Sequence, residues 1–248
     1  MTRRHATAAV ACALAVLEGH CASIASDANA PLAIEFILPK FSAGLTVQEF
    51  DTLPIVVRVL NNAGNVITGA SVRVTSFAPD TLAVDTLPLG LVGVRPGHSR
   101  VVASSGGLQS DPLGVTVVRA PDSLALPPAG ADTFTVPSTD SASAPLVVNL
   151  LDLRTDTTQA LGLTGYPVVF SIVSPAFASL ATATAVLRSD TIPRLVDTVT
   201  TSGGAASVVV RRYGTPPQPD SVIVQASASR ANGAVVRGSP IQFVVRFQ

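Results

Sequence analysis

The chain has few side chains that could carry acid–base or nucleophilic chemistry. Of its three histidines, His98 alone lies outside the N-terminal segment; it stands in "RPGH" and is followed by Ser99 and Ser104. A serine nucleophile needs a base within hydrogen-bonding reach, and the sequence has no G-x-S-x-G elbow that would expose such a serine. We therefore interpret His98 as a surface turn residue rather than a catalytic base.

The carboxylates suggest turns rather than a reactive site. Glu35 and Glu49 could in principle act as the acid and base of a glycosidase, but both fall among apolar runs without an aromatic platform for sugar. Ten of the thirteen aspartates directly precede Thr or Ser. Because Asp accepts hydrogen bonds from backbone N–H groups two residues on, this pairing favours turns. The alternative is calcium, but the aspartates are scattered singly, without the ladder of oxygen ligands that calcium needs.

Cofactor and metal sites are not predicted. A zinc site needs several His or Cys ligands, and outside the N-terminal segment the sequence offers His98 alone. Gly90, Gly93 and Gly97 resemble a phosphate-binding loop in composition, but neither a helical pattern nor Gly-Lys-Ser/Thr accompanies them. We expect a protein that is not an enzyme, with no catalytic, cofactor or metal residues, whose glycines serve turns.

Charge and composition narrow the class of partner. The 248 residues include 16 basic and 16 acidic ones, so the formal net charge is zero. Nucleic-acid binding needs a basic face that neutralises phosphates, and an anionic membrane surface needs a polybasic patch; neither is present in the sequence. With 47% apolar and only 13% charged residues, the chain can bury a core.

Residues 1–25 are predicted to be a signal peptide. A basic start, "MTRRH", precedes the apolar run "ATAAVACALAVL" and small residues, and cleavage is expected after Ala25. The alternative is a lipoprotein signal with lipidation at Cys21, although "EGH" before that cysteine departs from the usual pattern. Cys12 lies in the apolar run, so the exported chain would contain no disulfide.

Short apolar runs between turn signals predict an all-β protein. The predicted strands of the first half are Ile34–Leu38, Pro54–Leu60, Ala70–Thr75, Leu82–Val84, Leu91–Val94, Arg100–Ala103 and Gly114–Arg119. Those of the second half are Pro145–Leu151, Pro167–Val173, Leu180–Leu187, Leu195–Thr200, Ala205–Arg211, Ser221–Ser229 and Ile241–Phe247. The proline-rich stretch Arg119–Thr133 separates the halves. The pattern is typical of two antiparallel sandwiches.

The first half resembles the bacterial immunoglobulin-like domain of group 2 over roughly Asn29 to Ala120. The matching elements, in the family's order, are Asn62–Val66, Ser76–Pro79, Leu82–Asp85, Gly90–Gly97 and Arg100–Ala103. The family usually has a tryptophan where this sequence has Val74. We expect smaller groups, helped by Phe77, to fill the core at that point.

The second half resembles the invasin-type (group 1) bacterial immunoglobulin-like domain. The resemblance is carried by "YPVVFSIVSP" (Tyr166–Pro175), the hairpin Thr198–Gly214 and the closing strands within Asp220–Phe247. Together the resemblances imply two consecutive immunoglobulin-like antiparallel β-sandwiches after the signal peptide, at residues 26–120 and 121–248. Such domains are extracytoplasmic spacers or adhesion modules of bacterial surface proteins, although a fold alone does not fix a function.

The expected function is therefore that of an exported, non-enzymatic protein of the periplasm, cell surface or extracellular space, acting as a structural spacer or in cell adhesion. Its partner would be a protein or glycan at the cell surface, and it would reach a membrane only through a lipid anchor at Cys21. Exposed edge strands would offer β-augmentation. The alternative is a carbohydrate-binding module, for which Phe41, Phe50 and Tyr213 are the candidate exposed aromatics.

Overall fold

The computed structural model describes residues 30–38, 45–153, 160–214 and 219–248. The first sandwich contains β1 Pro31–Ile37, β2 Leu45–Gln48, β3 Thr52–Pro54, β4 Val56–Asn61, β5 Arg73–Ser76, β6 Leu82–Thr86, β7 Leu89–Gly93, β8 Gly97–Ser105, β9 Leu108–Gln109 and β10 Leu113–Val118. The second contains β11 Ser123–Ala125, β12 Thr133–Val136, β13 Leu146–Asp152, β14 Leu161–Gly162, β15 Pro167–Ser174, β16 Ala185–Arg188, β17 Val196–Thr200, β18 Ala205–Arg212, β19 Ser221–Ser227 and β20 Ile241–Phe247. Within these ranges, helical structure is confined to a 3-10 turn at Leu180–Thr182. The all-β, immunoglobulin-like fold class is confirmed.

The second sandwich consists of two facing sheets. One has the strand order β11-β13-β18-β16 with β14 beside β13, and the other has the order β12-β20-β19-β15-β17. Their inward residues form one core that contains Leu146, Phe170, Val208, Val224 and Phe243, all essentially inaccessible to solvent. Each such side chain stabilises the fold by about 1.5–3 kcal/mol through its removal from water. Strand β13, "LVVNLLD", alternates strictly between buried and half-buried positions, as a strand with one face in a core should.

The first sandwich has three groups of strands. Strand β1 pairs with β4, strand β7 lies between β3 and β6, and a further sheet has the order β2-β10-β8-β5 with β9 beside β8. Most neighbours run antiparallel, as predicted. In each sandwich, however, one early strand runs parallel to the last one: β2 pairs with β10 and β12 pairs with β20.

The chain divides into two compact units. One comprises Met1–Lys40, Ile55–Thr75 and Val101–Leu113, and the other comprises Phe41–Pro54, Ser76–Arg100 and Gly114–Gln248. Over its described residues, the first unit contains the β1–β4 pair and the hairpin between β8 and β9. The second contains β2, β3, β6, β7, β10 from Gly114 onward and the whole second sandwich, together with the start of β8, where His98 lies.

Three local expectations were wrong. Phe77 does not fill the core, because 65% of its surface is exposed. Gly90 and Gly93 do not serve turns, because both lie inside β7; a Cβ on Gly93 would stand 2.5 Å from the carbonyl oxygen of Gln48, so glycine permits this close strand approach. The predicted strand Leu180–Leu187 is a strand only from Ala185 onward.

Candidate functional site

An open groove of about 400 Å³ lies where three segments of the second unit meet. The start of β8 supplies His98 and Arg100, β10 supplies Thr116, and the turn after β5 supplies Phe77. Alternation along β8 turns His98 and Arg100 toward solvent and Ser99 into the protein. The backbone N–H of Phe77 donates to the carbonyl of Arg100 at 2.9 Å, which fixes the turn beside the strand.

The exposed side chains of this groove combine an aromatic ring, a cation and a polar pair. The guanidinium carbon of Arg100 lies 5.8 Å from the centroid of the Phe77 ring, a cation–π arrangement. His98 Nδ1 lies 3.0 Å from Thr116 Oγ1. A flat ring flanked by hydrogen-bonding groups suits contact with a sugar or another small polar ligand.

The groove does not pair a serine with its histidine. The side chain of His98 hydrogen-bonds Thr116, whereas Ser99 is buried with its Oγ 3.0 Å from Ser76 Oγ. Ser104, in the other unit, donates its hydroxyl to the carbonyl of Arg73 at 3.3 Å. His98 is exposed as predicted, but it is the second residue of β8 rather than part of a turn.

The predicted carboxylates occupy separate, structurally explained positions. Glu35 is exposed on β1 opposite Arg58 in the register of the β1–β4 pair, and Glu49 is half-buried just after β2. Turn formation by aspartate is confirmed where Asp85 accepts a hydrogen bond from the N–H of Leu87, and Asp190 one from that of Ile192. Within residues 30–38, 45–153, 160–214 and 219–248, no group of three or more His, Cys, Asp or Glu side chains could hold a metal ion.

The aromatic residues divide between core and surface. Phe50 and Tyr213 are exposed, as predicted, while Phe41 lies outside the described residues. Phe77 was not among the predicted exposed aromatic residues, because it was expected to help fill the core near Val74, where the related family usually has a tryptophan. Phe134 and Phe243 pack against each other at the core, with their ring centroids 6.2 Å apart.

A second polar cluster surrounds the segment between β10 and β11. Arg119 Nη1 lies 2.5 Å from Asp152 Oδ2, and the Asp152 side chain is only 1% exposed. On the other side, Arg230 donates from Nε to the carbonyl of Pro121 at 3.0 Å and from Nη2 to Asp122 at 3.1 Å. The segment from residue 119 to 122 is thus held by charged side chains from β13 and from the hairpin after β19.

Two further contacts extend this cluster. The Tyr166 hydroxyl donates a hydrogen bond to the carbonyl of Arg119, and the backbone N–H of Ala231 donates to Gln48 Oε1 at 2.7 Å. Burial raises the pKa of Tyr166 above its usual 10.0; the charge of Arg119 opposes that rise, and those of Asp152 and Glu49 add to it. No local sequence signal marks this cluster, because its members come from distant positions in the chain.

The predicted N-terminal features lie elsewhere. The signal peptide at 1–25 and the lipidation candidate Cys21 fall outside the described residues. Among the residues that are described, the structure contains no helix long and apolar enough to span a membrane.

Comparison with known proteins yields distant structural likenesses. No protein-family model and no curated protein matches the chain. Among solved structures, domains 4 and 5 of the S-layer protein SbsC match at 15% identity and a TM-score of 0.32, over 88% of this chain and 98% of that one. The adhesin InvE of Yersinia pseudotuberculosis matches at 16% identity and a TM-score of 0.37, over 83% of this chain and 57% of that one. The Escherichia coli adhesin FdeC matches at 15% identity and a TM-score of 0.40, over 83% and 62%.

These superpositions are too loose to indicate a function. The fold itself is defined by the strands and by their pairing.

Proposed function

We propose that this protein is an exported, non-enzymatic spacer or adhesion protein of the bacterial cell envelope. In this proposal, residues 1–25 are a signal peptide, 26–120 a group 2 type and 121–248 an invasin-type immunoglobulin-like sandwich. The observation that carries the proposal is the fixed segment from residue 119 to 122. A spacer needs connections between its successive domains that are not freely flexible. The ion pairs Arg119–Asp152 and Arg230–Asp122 limit the conformational freedom of this segment.

Export is tested on the full chain with its own N-terminus, expressed in a bacterium. We expect the chain outside the cytoplasm, beginning at Ser26 when its N-terminus is determined by mass spectrometry. An acylated N-terminus at Cys21 would instead identify a lipid-anchored form. An unprocessed chain that stays in the cytoplasm would contradict the proposal.

Adhesion is proposed to use the open edge of β17. Among the described residues, strand β17 ends the five-stranded sheet and pairs with β15 alone. In the β15–β17 ladder, the N–H of Thr201 donates to the carbonyl of Tyr166, and the N–H of Ile172 donates to the carbonyl of Leu195. The backbone groups of successive residues point to alternate sides of an antiparallel strand, so the N–H of Thr198, three residues from Thr201, points away from β15. An extended segment of a partner protein that added to this edge as a further strand would form hydrogen bonds with outward backbone groups such as this N–H.

The corresponding test compares attachment of cells that display the wild-type chain with attachment of cells that display Thr198→Pro. Proline removes the outward N–H without breaking a bond of the β15–β17 ladder. We expect display of the wild-type chain to raise attachment to an immobilised protein layer, and the proline variant to lower it. Unchanged attachment of the variant would exclude this edge as the adhesive surface.

A second candidate function, carbohydrate binding, is favoured by the exposed Phe77 in its groove with Arg100 and His98. Isothermal titration of the chain with a panel of cell-wall and host oligosaccharides tests it. We expect Phe77→Ala to abolish a binding isotherm that Ile192→Ala leaves intact, because Ile192 is an exposed side chain between β16 and β17 that does not line the groove. Identical isotherms for the two variants would remove the groove as a sugar site.

A further inference from the structure

The groove beside Phe77 exposes the side chain of Arg100. Among the described residues that line the groove, none is an aspartate or a glutamate. Within the part of the chain that the structure describes, no carboxylate forms an ion pair with Arg100. A concave site that contains a cation and no carboxylate attracts a ligand that carries negative charge.

The guanidinium of Arg100 is held beside an aromatic ring. Its carbon lies 5.8 Å from the centroid of the Phe77 ring. That ring stands on a turn fixed by backbone bonds, because the N–H of Phe77 donates to the carbonyl of Arg100 at 2.9 Å and the N–H of Thr81 donates to the carbonyl of Ala78 at 3.0 Å. A planar guanidinium presents its donors in a fixed fork, so one that is held in this way suits the two oxygens of a carboxylate.

The remaining polar groups of the groove suit hydroxyls. The exposed ring of His98 uses Nδ1 for its contact with Thr116 Oγ1, at 3.0 Å, and this contact leaves Nε2 for a ligand. Nε2 is a donor when Thr116 donates to Nδ1, and an acceptor when Thr116 accepts from it. A sugar hydroxyl both donates and accepts, so it can bond to Nε2 in either tautomer.

Gly114 keeps the groove open. It lies two residues before Thr116 on β10, and both alternate with the buried Val115, so they share the face of the strand that lines the groove. Nothing lies within 4 Å of the position that a Cβ on Gly114 would take. A side chain at this position would therefore enter the space that a ligand needs.

The strand backbone beneath the groove is already paired. Strand β8 has β10 as its neighbour on one side, and on the other side the carbonyl of Arg100 accepts the N–H of Phe77. An extended peptide binds a sheet through unpaired backbone groups of an edge strand. This groove instead offers side chains, and a pyranose ring matches them with apolar C–H groups for Phe77 and hydroxyls for His98 and Thr116.

We propose that this groove binds an acidic sugar of the uronate type, with the sugar carboxylate on the Arg100 guanidinium and the pyranose ring against Phe77. The inference rests on the carbohydrate-binding candidate of the proposed function and adds the class of sugar. The groove volume of about 400 Å³ is near the lower end of the range for small-molecule sites, about 300–1,000 Å³. We therefore expect a short oligosaccharide to fill it.

Isothermal titration of the full chain at low ionic strength tests this inference. The probes are trisaccharides of galacturonate, glucuronate and mannuronate, each compared with the neutral trisaccharide of the same linkage, which has a hydroxymethyl group in place of each carboxylate. We expect at least one acidic trisaccharide to bind about fivefold more tightly than its neutral counterpart, the effect of one exposed charge pair. Added salt should reduce this preference, because it screens the pair.

Three variants locate the binding. Arg100→Gln should remove the preference for the acidic sugar and leave the affinity for the neutral sugar unchanged. Arg95→Gln is the matched control and should bind like the wild type, because Arg95 is an exposed arginine just before β8 that does not line the groove. Gly114→Val should abolish binding of both sugars by filling the groove, with a wild-type circular dichroism spectrum and thermal unfolding midpoint.

The outcomes separate this inference from the candidate function on which it rests. Equal binding of acidic and neutral sugars, lost in Phe77→Ala, would overturn the acidic specificity and keep the groove as a sugar site. If no trisaccharide binds, both are overturned. The inference also falls if Arg100→Gln keeps the preference, if Arg95→Gln loses it, or if Gly114→Val binds like the wild type. A short polyglutamate peptide that binds the groove as tightly as the acidic trisaccharides would overturn it as well.

Discussion

The Arg119 guanidinium lies 2.5 Å from the carboxylate of Asp152, yet the two side chains differ sharply in burial. The Asp152 side chain is 1% exposed, while that of Arg119 is 37% exposed. A buried carboxylate depends on nearby positive charge, whereas a partly exposed guanidinium can be solvated by water when its partner is removed. The ion pair is therefore asymmetric in what each member contributes to stability.

The two single substitutions should consequently differ in cost. We expect Arg119→Ala to lower the free energy of unfolding by about 3 kcal/mol, because the Asp152 carboxylate loses a charged partner inside the protein. Asp152→Asn, which leaves the solvated Arg119, should cost less. Urea unfolding followed by circular dichroism measures both. Equal costs, or the reverse order, would show that burial does not govern this pair.

Gly162 and Gly204 lie so close together that neither position has room for a side chain. A Cβ on Gly162 would stand 2.4 Å from the carbonyl oxygen of Gly203, and Gly204 has φ of +89°. Gly162→Ala should therefore destabilise the second sandwich by about 1–3 kcal/mol, since the backbone must shift. Gly114→Ala is the control, because nothing lies within 4 Å of its Cβ position. A thermal unfolding midpoint for Gly162→Ala as high as that of Gly114→Ala would contradict this interpretation.

Apolar periodicity predicted the longer strands well, since β13, β15, β18, β19 and β20 each bury alternate residues of a Val-rich run. It missed the short strands, none of them longer than four residues: β2, β3, β9, β11, β12 and β14. Whether paired strands run parallel or antiparallel could not be predicted either. Side chains alternate with the same period in parallel and antiparallel strands, so nothing in the sequence distinguishes the parallel pairs that β2 and β12 form.

The polar contacts of the 119–122 segment could not be predicted for a different reason. Asp122 and Arg230 are far apart in sequence, and each stands in an ordinary turn-like context. Only the folded arrangement of β13 and the hairpin after β19 brings them to one place. Phe77 shows the converse: it was expected in the core, but the turn after β5 leaves its ring exposed, with the Arg100 guanidinium 5.8 Å from the ring centroid.

Arg230 should govern the order of the segment from residue 119 to 122. Its planar guanidinium reaches both the carbonyl of Pro121 and the carboxylate of Asp122, a forked geometry that the single ammonium group of lysine does not reproduce. We expect Arg230→Lys and Arg230→Ala to speed hydrogen exchange at the N–H groups of Asp122 and Leu124, by about tenfold for each 1.4 kcal/mol lost from local opening. Mass-spectrometric exchange on the intact chain measures this.

The control for Arg230 is Arg237→Ala, which removes an exposed arginine after the same hairpin. Its side chain should not affect protection, although its backbone carbonyl accepts the N–H of Leu124. If the N–H groups of Asp122 and Leu124 exchange equally slowly in all three variants, the segment is ordered without the two guanidinium contacts of Arg230.

Tyr166 should make the stability of the protein depend on alkaline pH. Its hydroxyl donates to the carbonyl of Arg119, and burial raises its pKa above 10.0 in the folded state. The unfolded chain therefore releases this proton at lower pH than the folded chain does. Stability from Tyr166 is fully present below about pH 10 and is lost as pH rises from there through the folded pKa.

Comparison with Tyr166→Phe measures this contribution. The variant should be less stable by about 1 kcal/mol at neutral pH, through loss of one hydrogen bond. The gap between wild type and variant should narrow above about pH 10 in urea unfolding. Because both proteins share Tyr213 and Lys40, the difference between them isolates Tyr166. If the difference in free energy of unfolding between the two proteins stays constant or grows as the pH rises, the fold does not favour the neutral form of the Tyr166 hydroxyl.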